Sequence, residues 1–68
     1  MSLEITVNGE TRTIASGTTV AQLLIELGVT PRHCAVEVNL ELVPRAKQGE
    51  HELAAGDQLE IVTLVGGG

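Results

Sequence analysis

The residues with the clearest chemical potential close the 68-residue chain: Gly66, Gly67 and Gly68, directly after Val65. An α-carboxyl group has an ordinary pKa near ~3.5, so the Gly68 carboxylate is expected to be ionised at neutral pH. In that state it can attack an activated phosphate without a neighbouring base. Glycines lack Cβ atoms, so this backbone fits a narrow channel and can be approached closely from both sides. Residues 65–68 reach about 13 Å when extended at ~3.3 Å per residue. Ordering three glycines costs on the order of 3–6 kcal/mol, which a folded body with its own docking surface must offset. By itself a glycine-rich terminus is more often a frayed end than a site. What precedes it therefore decides the reading.

The other reactive side chains form no constellation. His33 and Cys34 are neighbours, and adjacent side chains on a strand point to opposite faces. His51 stands apart, and no second pair of ligands exists. Cys34 is expected as a small, semi-buried apolar residue, with both histidines on the surface. Glu37, Glu41, Glu50, Glu52 and Glu60 fall on different strands and a loop, which reads as solvated surface and not as a metal site. Without a nucleophile–base pair, a phosphate loop or a metal cluster, an enzyme is the least favoured reading. No cofactor and no metal are expected.

Composition narrows the partners. Nine acidic and four basic residues give a formal charge of −5, and Phe, Tyr and Trp are absent. Phosphate backbones are bound by Lys and Arg, and single-stranded nucleic acid by aromatic faces. Arg45 and Lys47 are too few for such a patch, so no nucleic acid is expected. The acidic balance favours partners with a positive or apolar docking face. The single cysteine, Cys34, excludes an intramolecular disulfide framework, and a small domain without staples points to a reducing, cytoplasmic setting. No run approaches the ~18 apolar residues of a membrane span, and no secretion leader is read at the start.

The elements that must carry the tail are legible. Leu3-Glu4-Ile5-Thr6-Val7 alternates apolar and polar, a half-buried strand with Leu3, Ile5 and Val7 inward. Asn8-Gly9 is a strong hairpin signal, because a type I′ turn needs positive φ at both central positions. Thr11-Arg12-Thr13-Ile14 returns antiparallel; if Ile14 points inward, Arg12 does too unless a bulge intervenes. Thr19 and Gln22 form a capping box. Val20, Leu23, Leu24 and Leu27 follow as one apolar helical stripe, and Gly28 suits the C′ position. Ala35 to Val38 is a third strand, Asn39-Leu40-Glu41 a tight turn, and Leu42-Val43 a short extended piece ended by Pro44. Residues 45–52 read as polar and irregular, with Leu53 their one anchor. Ala55-Gly56-Asp57 is a turn. Leu59 to Leu64 is the last strand, with Leu59 and Ile61 inward and Val62 and Leu64 on the opposite face. A hairpin, a crossing helix and a final long strand imply an α+β, β-grasp (ubiquitin-like) fold. Its mixed sheet of four to five strands would lie over one helix, with the first and last strands parallel at its centre. The domain is expected over residues 1–64, with a flexible glycine-rich tail over 65–68.

Three segments carry a family resemblance: Val38-Asn39-Leu40-Glu41-Leu42-Val43-Pro44-Arg45, Ala55-Gly56-Asp57-Gln58-Leu59-Glu60-Ile61-Val62, and Val65-Gly66-Gly67-Gly68. Together they resemble the ThiS family of sulfur carriers in thiamine biosynthesis, over nearly the whole chain. One departure stands out, since the position held by Leu40 is often Gly in that family. The resemblance implies that a partner enzyme uses ATP and magnesium to adenylate the carboxylate of Gly68. A persulfide sulfur donor, supplied by a cysteine desulfurase, displaces AMP, and a C-terminal thiocarboxylate results. The thiazole synthase then takes that sulfur. In this scheme Val65, Gly66 and Gly67 thread into the partner's site, and Val62, Leu64 and Val65 are expected to contact the adenylating enzyme. A molybdopterin-type carrier and a ubiquitin-like protein modifier share the same tail chemistry. A binding module similar to the TGS domains shares the middle segments but has no use for the terminal glycines.

Overall fold

The computed structural model describes residues 1–63. Leu64, Val65, Gly66, Gly67 and Gly68, and with them the expected tail and the 64/65 domain boundary, lie outside the described residues. Strands β1 (Ser2–Val7) and β2 (Glu10–Ala15) form the opening hairpin. Helix α1 (Val20–Leu27) follows, and after a 3₁₀ turn at Pro31–His33 come β3 (Cys34–Val38) and β4 (Glu41–Leu42). One helical turn, α2 (Arg45–Gln48), and the strand β5 (Gln58–Thr63) complete the described chain. The five strands form one sheet in the order β2-β1-β5-β3-β4. Only the central pair, β1 with β5, is parallel.

The β1–β2 turn follows from backbone chemistry. Asn8 and Gly9 take φ of 50° and 84°, so Val7 can pair with Glu10 across a two-residue loop. The β1–β2 register runs without a bulge from Ser2↔Ala15 to Val7↔Glu10. That settles the facing of β2: Ile14 is buried and Arg12 shares its face, half-buried. Arg12 lines a hollow with Leu27 and Val29, so its stem can cover apolar surface while its head reaches water.

Helix α1 is defined at both ends. Gln22 N donates to Thr19 Oγ1 at 3.2 Å and Thr19 N to Gln22 Oε1 at 2.9 Å, the reciprocal capping box. At its end Gly28 sits at φ 74°. Gly28 N donates to Ile25 O, and Val29 N to Leu24 O, which satisfies two carbonyls the helix would otherwise leave open. Val20, Leu23 and Leu24 are fully buried against Ile5, Val36 and Leu59. Each such aliphatic side chain contributes roughly 1.5–3 kcal/mol by leaving water. The helix covers one face of the sheet, and the other face is open.

The stretch after Pro44 corrects the sequence reading. Residues 45–52 are not wholly irregular, and Leu53 is not their one anchor. Arg45–Gln48 makes a helical turn, and Gln48 is only 3 % exposed, with Nε2 donating to Val43 O at 3.4 Å. Further on, Val20 N donates to His51 O and Leu53 N to Thr18 O, which ties the segment to the start of α1. A polar side chain used as a buried anchor leaves no trace in a hydrophobic pattern, which is why Gln48 was invisible there.

Candidate functional site

The expected chemistry lies beyond Thr63, so the described part of the site is the platform that precedes it in sequence. That platform is β5. On one side β3 pairs with it along its length, from Val38↔Leu59 to Cys34↔Thr63. On the other side β1 pairs only at Thr6↔Gln58 and Val7↔Leu59, because the hairpin turns away at Asn8. The Asn8 side chain continues where the strand stops. Its Oδ1 accepts from Ile61 N at 2.8 Å, and its Nδ2 donates to Ile61 O at 3.2 Å. An amide side chain has the same donor and acceptor as a peptide unit, so Asn8 acts as one more ladder residue for β5.

The start of β5 is held in the same way. Asn39 Nδ2 donates to Asp57 Oδ1 at 2.9 Å, and Gln58 N donates to Asn39 Oδ1 at 3.0 Å. Asp57 Oδ2 accepts from Ala54 N at 2.8 Å, closing the turn at Gly56, whose φ is 85°. Two asparagines from two hairpin turns therefore fix β5 at both ends. Sequence reasoning saw Asn8 and Asn39 as turn residues and missed this second role. The one signal it had was the choice of Asn at both turns, which turn chemistry alone accounts for.

The open face of the sheet carries the docking candidate. Val62 is 57 % exposed on the face opposite Leu59 and Ile61, and its cross-strand partner is Ala35. Leu42, 63 % exposed, is paired with Glu37, and Glu37 with Glu60. Two glutamates are thus cross-strand partners on this face, and like charges in such a pair disfavour the pairing. Beside them the β3–β4 turn holds Asn39 and Leu40 at φ 52° and 69°. Left-handed backbone disfavours a residue with a Cβ by roughly 1–2 kcal/mol, and Leu40 is 84 % exposed.

The remaining candidates are dispersed. Cys34 is buried at the mouth of the core, and burial pushes its thiol pKa above the ordinary value. His33 is exposed and His51 half-buried, so the expectation of two surface histidines holds fully for His33 only. Among the described residues, no group of three or more His, Cys, Asp or Glu side chains comes together in a way that could hold a metal ion. No helix among them is long and apolar enough to cross a membrane.

A five-strand mixed sheet with a parallel centre, packed over one main helix, is the β-grasp architecture. The sequence profile of the ThiS family matches residues 5–68, and the chain belongs to that family. It is 30% identical over 66 residues to the sulfur carrier protein ThiS of Escherichia coli, covering 97% of this chain and 100% of that protein. It is 46% identical to a thiazole synthase of Paramagnetospirillum magneticum and 41% identical to one of Magnetococcus marinus. In both cases 97% of this chain is covered but it spans only 20% of the relative's length. Among solved structures, the crystal structure of the thiamine biosynthesis protein ThiS from Geobacter metallireducens superposes with a TM-score of 0.83 at 32% identity. That match covers 97% of this chain and 100% of the other.

Proposed function

We propose that this protein is a sulfur carrier for thiamine biosynthesis, a substrate of enzymes and not a catalyst. The observation that carries the reading is the family match, which runs through Gly68. In support of it, β5, the strand that leads to the glycines, is held on both flanks. The Gly68 carboxylate attacks the α-phosphorus of ATP in the site of an adenylating partner, and pyrophosphate leaves. A persulfide donor, such as a cysteine desulfurase carries, attacks the acyl carbon and releases AMP. A thiol then cleaves the sulfur–sulfur bond, leaving the thiocarboxylate on Gly68 and a disulfide on the other side. The partner supplies the positive charge that phosphoryl transfer requires, because an acidic chain with four basic residues is poorly suited to do so.

Val65, Gly66 and Gly67 form the thread into the partner's site in this reading, and Val62 and Leu64 belong to the docking face. The sulfur goes to a thiazole synthase. Two relatives of that name contain the matched segment as a fifth of their length, which supports this acceptor. The test is intact-mass spectrometry after incubation with ATP, an adenylating enzyme and a sulfur source. The reading expects one oxygen replaced by sulfur, localised to Gly68. An isopeptide adduct to a lysine would instead make the protein a modifier. One residue appended after Gly68 is expected to abolish the reaction, whereas a TGS-like binding module would be indifferent to it.

A further inference from the structure

We propose that Leu40 is a specificity-determining contact for a thiazole synthase, which docks on the sheet face that the helix leaves open; this rests on the carrier reading above. The domain itself makes little use of the Leu40 side chain, which is 84 % exposed. Its backbone sits at φ 69°, a conformation that glycine adopts freely and a leucine does not. A two-residue turn of this type is built better with glycine at that position. The leucine therefore stands against the local preference of the chain.

Its surroundings are those of a contact surface. Leu40 lines a hollow with Glu37, Gln58 and Glu60. Leu42 and Val62, 63 % and 57 % exposed, stand on the same face, each facing outward by its pairing with Glu37 and Ala35. Three exposed aliphatic side chains thus bracket an opposed pair of carboxylates. The complementary surface has an apolar hollow for Leu40 and an arginine or lysine aimed between Glu37 and Glu60. Such a cation would pair with two like-charged residues that are cross-strand neighbours. A second copy of this chain would bring the same carboxylates face to face and is disfavoured. The thiazole synthase is the occupant chosen because, in two relatives of that name, the matched segment and the remaining four-fifths form one polypeptide.

The test uses the full chain and the thiazole synthase from its own organism, in calorimetric titrations, with thermal melts of each variant. Leu40→Gly and Leu40→Asn both suit left-handed backbone, so each is expected to raise the melting midpoint. Each is also expected to weaken synthase binding by about tenfold, as loss of an anchoring side chain does. Leu40→Met keeps the apolar contact and is expected to bind within about twofold of wild type. Improved stability with unchanged synthase affinity overturns the assignment while leaving the carrier reading in place. Weakened binding only to the adenylating enzyme overturns it as well, by moving the contact to another partner. If wild-type protein fails to bind the synthase while Gly68 is still thiolated, the inference alone falls. If neither happens, both readings fall.

Discussion

Asn8 holds β5 where the backbone of β1 has already turned away. Its two bonds to Ile61, at 2.8 and 3.2 Å, reach to within two residues of the last described position. Asn8→Ala removes both and puts a less suitable residue at φ 50°. It is expected to lower stability by about 1–3 kcal/mol. Amide exchange at Ile61 is expected to rise more than at Leu23, whose N–H donates to Thr19 O at the start of α1; equal acceleration at both would show that Asn8 serves only the turn. Cys34 makes a pH-dependent contribution. Its thiol pKa is raised above 9.0 by burial, so the folded state keeps the proton after an unfolded chain has begun to lose it. The resulting stability is complete below the ordinary thiol value and is lost as pH rises through the folded value. Denaturant midpoints are expected to fall on the alkaline side of pH ~9 and to flatten in Cys34→Ala. At this scale the sequence showed the positions but not their partners. Asn8 and Asn39 were legible as turn formers because turn preference is local. Their bonds to β5 span 53 and 19 positions, and nothing local encodes them.

The elements were the most legible level, because they rest on short-range periodicity. The first hairpin, the capped helix and the outer facing of Val62 could all be read from spacing. Thr19 illustrates how strong that local code is: its cap and the reciprocal bond from its own N–H are both present. Thr19→Ala is expected to destabilise the domain by about 1 kcal/mol, seen as a drop of roughly 4–8 °C in the melting midpoint. An unchanged midpoint would mean that α1 is held by packing alone. The α2 turn was missed for the opposite reason. Its anchor is Gln48, a polar residue whose burial goes with its bond to Val43 O and not with any pattern along the chain. The facing of Arg12 likewise stayed open until the pairing of β2 excluded a bulge.

At the scale of the whole molecule, the described residues form one body, and the glycine run follows it in sequence. The body has one face covered by α1 and the other open, and its net charge of −5 suits partners that present cations. On that open face stand Val62, Leu42 and Leu40, around Glu37 and Glu60. A single charge there tests the docking face without touching the core. Val62→Glu is expected to leave the melting midpoint within about 4 °C, since an exposed substitution rarely exceeds ~0.5 kcal/mol. Binding to the adenylating enzyme is expected to weaken by about tenfold or more; unchanged affinity in a titration would remove Val62 from the interface. The proposed carrier chemistry, by contrast, rests on the run of glycines and the family match, since no arrangement of side chains among the described residues encodes it. The most direct measurement is the intact mass of the protein after reaction with ATP, an adenylating enzyme and a sulfur donor, followed by fragmentation. Oxygen-to-sulfur exchange confined to Gly68 is the expected result. An unmodified Gly68 under conditions that thiolate the Escherichia coli ThiS with its own enzymes would contradict the account.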